Sequence, residues 1–180
     1  MNYYSENAKE YIDSTINADM SDLYAMFEPL LPKGGRILDV GFGSARDMLY
    51  FQSKGYDVAG IDIEPKFVEH AEKLGLKAEV ADVLSYESVI KYDGIWACAS
   101  LLHVDYEKLN EALKRLLGLL KDGGILFVSM KEGDFKGTDD KGRPLVMVRE
   151  DFFSHYDIVV SRKTIEARRN VSWINVIIRK

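Results

Sequence analysis

Apolar and polar positions alternate along this chain with two different periods. "RILDV" at 36–40 is a short apolar run of the kind that forms a buried strand, and "ARDMLYFQSKG" after it repeats its apolar residues at helical spacing as far as Gly55. The same pair recurs: "DVAGIDI" reads as a strand, and "EPKFVEHAEKLG" as a helix with Pro65 near its first turn and Gly75 at its end. "KAEVAD" is a short third strand. "YDGIWACASLLHV" is apolar throughout, which places a long fourth strand in the middle of a sheet. Leu109, Leu113, Leu116, Leu117 and Leu120 form a helical stripe that "DGG" breaks, and "ILFVSM" supplies a fifth strand. "REDFFSHY" reads as a short helix. "DIVVSRKTIEA" and "NVSWINVIIRK", joined by "RRN", read as a hairpin. Ahead of the first strand, "MSDLYAMFEPLL" predicts one amphipathic helix, and the polar loop from Glu132 to Arg143, with Gly133, Gly137 and Gly142, is the segment expected to move.

Strands alternating with helices and closed by a hairpin predict an α/β fold. It is a doubly wound, mostly parallel seven-stranded sheet with a closing antiparallel hairpin. The 180 residues, without repeats or low-complexity tracts, fit a single domain over 1–180. A formal net charge of -5 disfavours nucleic acid as the main partner, although the stretch from Arg162 to Arg169 is locally basic. One cysteine excludes an internal disulfide framework. "MNYYSENAKEYID" carries acids where an export signal would carry lysines and then an apolar core, and no apolar run approaches the roughly 20 residues needed to cross a bilayer. The expectation is a soluble, cytoplasmic protein.

Within "RILDVGFGSARDMLYF" two glycines and two small residues separate the first strand from its helix, at the strand's carboxyl end, where ligands of doubly wound sheets sit. Gly41 and Gly43 can let a ligand approach backbone N–H groups at the helix N-terminus. Asp62, about 20 residues on and at the end of the second strand, stands where an acid can accept hydrogen bonds from two ribose hydroxyls. A dinucleotide fingerprint would require glycine at position 46, which here is Arg46.

"GFGSA" resembles the G-x-G-x-G loop of class I S-adenosylmethionine-dependent methyltransferases, with Ala45 in place of the third glycine. "GYDVAGIDI", the acid of "VADV", "YDGIWACASLLHV" and "LKDGGILFVS" follow in that family's order. The chain from about Asp22 onward is especially similar to small bacterial methyltransferases of the tellurite-resistance type. The resemblance implies S-adenosylmethionine as methyl donor, S-adenosylhomocysteine as product and a small-molecule acceptor. It also implies helices within 1–33 that cap the donor site, and a monomer or homodimer. Asp39 and the backbone of Gly41 would hold the donor's amino group, Arg46 its carboxylate, Asp62 with Ile63 the ribose, and Asp82 with Val83 the adenine edge. Main-chain groups around Ala97 and Cys98 would lie below the sulfonium, and Phe42 fills a slot often held by a smaller residue. His103 follows the fourth strand where the family places the reacting methyl, which suits a general base or an acceptor contact. Tyr3, Tyr4 and Tyr11 could form a helical flap.

Each role has a plainer rival. Asp39 could pin the loop, Asp62 could cap the next helix, Asp82 could start a turn, and Arg46 could be a solvated charge. Cys98 reads as a buried, inert thiol, His70 as a surface residue, His155 as facing pocket or solvent, and His103 as structural. No metal site is expected, since Cys98 and His103 have no further convergent ligand in the sequence. Two other functions stay open: a catalytically silent S-adenosylmethionine-binding module, and a nicotinamide-dependent oxidoreductase, which Arg46 and the closing hairpin oppose.

Overall fold

The computed structural model describes residues 3–166 and 170–180. Two helices lead in. The first, α1 (Tyr3–Thr15), bends at Asn7, and α2 (Ser21–Phe27) tightens into a 3-10 turn at Glu28–Leu30. Pro29 lacks the N–H that the expected single helix would need there. The sheet-forming part then runs β1 (Arg36–Val40), α3 (Arg46–Ser53), β2 (Asp57–Asp62), α4 (Pro65–Lys73), β3 (Lys77–Val80), β4 (Tyr92–Cys98), α5 (Tyr106–Leu119) and β5 (Leu120–Lys131). It closes with β6 (Lys136–Thr138), β7 (Pro144–Val146), β8 (Ile158–Glu166) and β9 (Val171–Arg179).

Seven strands form one sheet in the order β3-β2-β1-β4-β5-β9-β8, the expected doubly wound architecture. All neighbours are parallel except that β9 runs antiparallel to both β5 and β8. The β8–β9 hairpin is therefore present. Arg168 and Arg169 of its expected "RRN" turn lie outside the described residues, as does part of the basic stretch ending there, while Asn170 takes φ +49°. The chain leaves β1 toward β2 on one side and returns to β4 on the other, so the strand order reverses between β1 and β4. A crevice opens at that point, above the carboxyl ends.

Several boundaries differ from the sequence pattern. The fourth strand stops at Cys98, because Ala99 turns into the left-handed region at φ +53° and the next residues coil into a 3-10 turn, Leu101–His103. "DGG" does not break the leucine helix, which has already ended. It is absorbed in β5, where Gly123 at φ +77° accompanies a register jump from Tyr92↔Leu120 to Gly94↔Ile125. "REDFFSHY" contributes only a 3-10 turn at Glu150–Phe153, and the glycine-bearing loop after β5 folds into the separate β6–β7 ribbon. Among the described residues no helix is long and apolar enough to cross a membrane.

The period-two alternation of the central strands gives the sheet two buried faces. Ile95, Leu126, Val128, Ile174 and Val176 point to the face covered by Leu109, Leu113 and Leu116 of α5. Trp96, Ile125, Phe127 and Ile177 point to the opposite face, against Phe27 of α2, Met48 and Phe51 of α3 and Phe67 of α4. Trp96 is fully buried and stacks on Phe127 at 3.9 Å between ring centroids. Its indole N–H needs an acceptor in that apolar setting, and Asp47 on the first turn of α3 supplies it at 2.9 Å. The same carboxylate accepts the Tyr24 hydroxyl and both Nε (2.7 Å) and an Nη (2.8 Å) of Arg46. One buried acid thus ties α2, α3 and β4 together. Asp47→Ala, which strands the Trp96 donor and the Arg46 charge, is expected to lower unfolding free energy by about 3–5 kcal/mol in urea titration. A loss under about 1 kcal/mol would mean that these donors find other partners.

Candidate functional site

Three left-handed residues shape the turn between β1 and α3: Gly41 at φ +67°, Gly43 at +55° and Ala45 at +63°. At the two glycines the geometry also lacks room. A Cβ on Gly41 would lie 2.5 Å from the Ser100 Cβ, and one on Gly43 would lie 2.9 Å from the Tyr11 ring. The loop is held from beneath rather than from the crevice. Gly41 N–H donates to the Ile61 carbonyl (2.7 Å), and Gly43 N–H to Asp62 Oδ2 (2.9 Å). The other oxygen of Asp62 accepts Glu64 N–H at 2.9 Å. Glu64, not Asp62, caps α4 through Lys66 N–H. The loop-pinning foreseen for Asp39 thus falls to Asp62.

Above this turn lies a cavity of ≈ 390 Å³, within the range of about 300–1,000 Å³ typical of small-ligand sites. Gly41 and Gly43 form its floor, Asp62 and Ile63 one side, and Asp82 and Val83 a ledge beyond β3. His103 lines the opposite end. These seven residues singled out as donor or acceptor contacts therefore meet in one crevice, together with Tyr4 and Tyr11 of the expected flap. Asp39, Arg46, Ala97 and Cys98 do not line it; they lie behind the turn. Arg46 is turned away because its guanidinium forks onto the neighbouring Asp47, which leaves it committed rather than solvated. Asp82 also starts a turn, its carboxylate accepting Leu84 N–H at 2.8 Å.

Burial dominates the electrostatics behind the loop. Asp39 is buried, and desolvation together with the Asp47 carboxylate pushes it well above the usual carboxylate range against the pull of Arg46. Its Oδ2 has no partner among the described residues, and neither does Ser100 Oγ, which lines the cavity beside Gly41. Orphaned polar atoms flanking a bare loop are what an absent ligand with an amino or carboxyl group would satisfy. Asp62 is raised by burial too, in part offset by the N–H groups of Glu64 and Gly43. Cys98 is half-buried and its thiol is pushed up by desolvation, so it is not an activated nucleophile.

At the far end of the crevice His103 makes two bonds. Nδ1 donates to the Pro144 carbonyl at 2.6 Å, which fixes the tautomer and leaves Nε2 to accept the Tyr4 hydroxyl at 2.8 Å. Arg143 donates to the same phenol oxygen at 3.0 Å while its other nitrogens grip Asp139. Burial lowers the His103 pKa below its ordinary value. His155 is exposed and lies tilted against Tyr156, and His70 is half-buried rather than on the surface, with Nε2 unpartnered among the described residues. No group of three His, Cys, Asp or Glu among the described residues could hold a metal ion. Tyr4 and Arg143, both part of the crevice, were not assigned roles with His103 by the sequence. Their convergence from opposite ends of the chain has no local signal, although the tyrosine-rich start suggested a flap.

Residues 37–124 match the family of methyltransferase domains. The chain is 25% identical over 133 residues to the "putative methyltransferase YqeM" of Bacillus subtilis, covering 68% of this chain and 53% of YqeM. It spans about half the length of the curated relatives it matches. Among solved structures, the fold superposes on 1,6-didemethyltoxoflavin-N1-methyltransferase of Burkholderia thailandensis, crystallised with 1,6-didemethyltoxoflavin and S-adenosylhomocysteine. That match has a TM-score of 0.79 and 21% identity, covering 98% of this chain and 83% of that one. TehB from Haemophilus influenzae gives a TM-score of 0.72 at 16% identity, covering 99% and 67%. These superpositions show that the chain has the Rossmann-like fold of such methyltransferases.

Two expectations follow from the geometry of the loop and its acids. Gly41→Ala, strained in φ and pressed on the Ser100 β-carbon, is expected to cost about 1–3 kcal/mol of stability in urea unfolding; an unchanged midpoint would mean the backbone relaxes freely there. Asp39 holds its proton more tightly folded than unfolded, so its contribution to stability is greatest at low pH and is lost as pH rises from about 4, the unfolded value, through the raised folded value. Asp39→Asn should therefore gain on the wild type progressively as urea midpoints are taken at rising pH. A difference constant across pH would show Asp39 ionised in the fold.

Proposed function

We propose that this protein is an S-adenosylmethionine-dependent methyltransferase acting on a small molecule, and the carrying observation is the bare Gly41–Gly43 turn facing a crevice with Asp62 and Asp82 along one side. S-adenosylmethionine would supply a methyl group already activated on a sulfonium, so the protein's part is to bind, orient and exclude water. Gly41, with Asp39 and Ser100 beside it, would face the amino-acid end. Asp62 and Ile63 would hold the ribose, since each carboxylate oxygen used on a backbone N–H keeps a second lone pair. Asp82 and Val83 would border the adenine. Ala97 and Cys98 lie behind the crevice, so Ala99 and Ser100 are better placed for the main-chain contacts near the sulfur. Arg46 would act through Asp47, by holding the loop's end, rather than on a donor carboxylate. The helices of 1–33 would cap the site, with Tyr4 and Tyr11 reaching into the same cavity.

The acidic balance, a formal net charge of -5, favours a small acceptor over nucleic acid, and a cytoplasmic location as monomer or homodimer belongs to the same reading. Calorimetry tests the donor assignment. S-adenosylmethionine and S-adenosylhomocysteine should bind and NAD should not, and Asp62→Ala should weaken binding by about 1.5–3 kcal/mol while the protein stays folded. NAD binding, or a folded Asp62→Ala with wild-type affinity, would remove the assignment.

A further inference from the structure

Three polar groups from separate parts of the chain converge at the end of the crevice away from Asp82: Tyr4 from α1, His103 from the turn after β4, and Arg143 from the β6–β7 ribbon. Their bonds run in one direction. Arg143 donates to the Tyr4 oxygen, the Tyr4 hydroxyl donates to His103 Nε2, and His103 Nδ1–H donates to the Pro144 carbonyl. The imidazole nitrogen able to take a proton therefore looks at a phenol rather than directly at whatever enters the crevice. Neutral imidazole is the form burial favours here, so Nε2 is free to accept a proton, while the phenol stays protonated because burial raises it against the opposing pull of Arg143.

We propose that Tyr4 is a catalytic residue that meets the methyl acceptor and relays its proton to His103, and that the acceptor is accordingly one whose nucleophilic atom carries a proton, an N–H or O–H group. This rests on the methyl-transfer reading above. As the bond from nitrogen or oxygen to the methyl carbon forms, the carbon–sulfur bond breaks with its electron pair going to sulfur. The acceptor's proton passes to the Tyr4 oxygen while the Tyr4 proton moves to His103 Nε2. The sulfonium charge is thus exchanged for an imidazolium charge, which Nδ1–H bonded to the Pro144 carbonyl stabilises until water takes the proton away. Arg143, neutralised by Asp139 through paired bonds, steadies any negative charge that builds on the phenol oxygen. His103 works through Tyr4 and is a positioning residue with a proton site. The charged groups that bear on it are Arg143 and Asp139 from the ribbon region and Lys131 from β5.

The test has two arms. In the first, S-adenosylhomocysteine release is measured with catechol, benzimidazole and uracil as O–H and N–H probes, and with thiophenol, which arrives as an anion and needs no base. Tyr4→Phe is expected to slow the protic probes by about 100-fold or more and thiophenol by only a few-fold. His103→Asn should abolish the acid limb of the pH–rate profile, in which wild-type turnover falls as His103 protonates. Wild-type rates in Tyr4→Phe, or equal losses on thiophenol, overturn the relay. The second arm needs no acceptor: histidine-selective nitrogen NMR at pH 7, with and without S-adenosylhomocysteine, should show His103 protonated on Nδ1 alone and its Nε2 resonance displaced in Tyr4→Phe. A proton on Nε2, or ring nitrogens unmoved by that substitution, also overturns it. If no probe turns over, this spectrum decides, and failure to bind S-adenosylhomocysteine counts against the donor reading and not against the relay.

Discussion

The site depends on one carboxylate at the end of β2. Asp62 spends one oxygen on Gly43 N–H and the other on Glu64 N–H, so the turn after β1 and the start of α4 are fixed to the same two atoms. A carboxyl group has an acceptor lone pair on each oxygen for this double role. An amide would have to present its NH2 group to one of the two N–H donors, donor against donor. Burial raises the acid, a cost the two backbone N–H groups partly offset. What the clasp secures is a pair of parallel strand ends, with the glycine backbone between them facing the cavity, Ser100 against Gly41 and the Tyr11 ring against Gly43.

Behind the clasp, the charge balance selects what the loop can welcome. Asp39 and Asp47 share the space with one cation, Arg46, whose fork is already taken up by Asp47. Asp47 accepts from Tyr24, Trp96 and Arg46, whereas Asp39 Oδ2 has no partner among the described residues. A buried acid with an unpartnered oxygen among the described residues suits a hydrogen-bond donor such as an amine better than the pyrophosphate of a dinucleotide. The absence of glycine at position 46 carries the same message from the sequence. There the residue is an arginine whose charge neutralises the interior instead of cradling a phosphate.

The strand–helix alternation was legible because burial on both faces forces apolar runs and the covering helices need one apolar stripe each; Leu109, Leu113 and Leu116 announced theirs. The glycine turn and Asp62 were legible because left-handed backbone and a strand-end acid are local demands. Boundaries set by tertiary context were not. Nothing in "ACASLLHV" says that Ala99 will adopt φ +53°, and nothing in "LLKDGGI" says that the glycines will be absorbed into β5 as a register jump. The pairing of Arg46 with Asp47 was not legible because Asp47 reads as an ordinary helix acid until Trp96 and Tyr24, 49 and 23 residues away, are seen to converge on it. Contacts across 99 and 139 residues, such as Tyr4 with His103 and with Arg143, leave no periodic trace at all.

The position of α1 joins these parts. Its first turn is fastened on one bank by Ser5, which donates to Glu64 and accepts from Lys66, and on the other by Tyr4 and Tyr3, which meet Arg143 and Lys141 of the β6–β7 ribbon. Asn7 breaks the helical geometry just beyond that turn, and its side chain bonds back to the Tyr3 carbonyl, making the turn a separate unit. So short a helical segment owes its stability to these contacts rather than to its own propensity. Tyr11 lies over Gly43, so a ligand laid along the loop needs that ring to move aside. Tyr11 over Gly43 and Tyr4 on His103 are carried by one helix, so the glycine turn and the far end of the crevice share a single covering element.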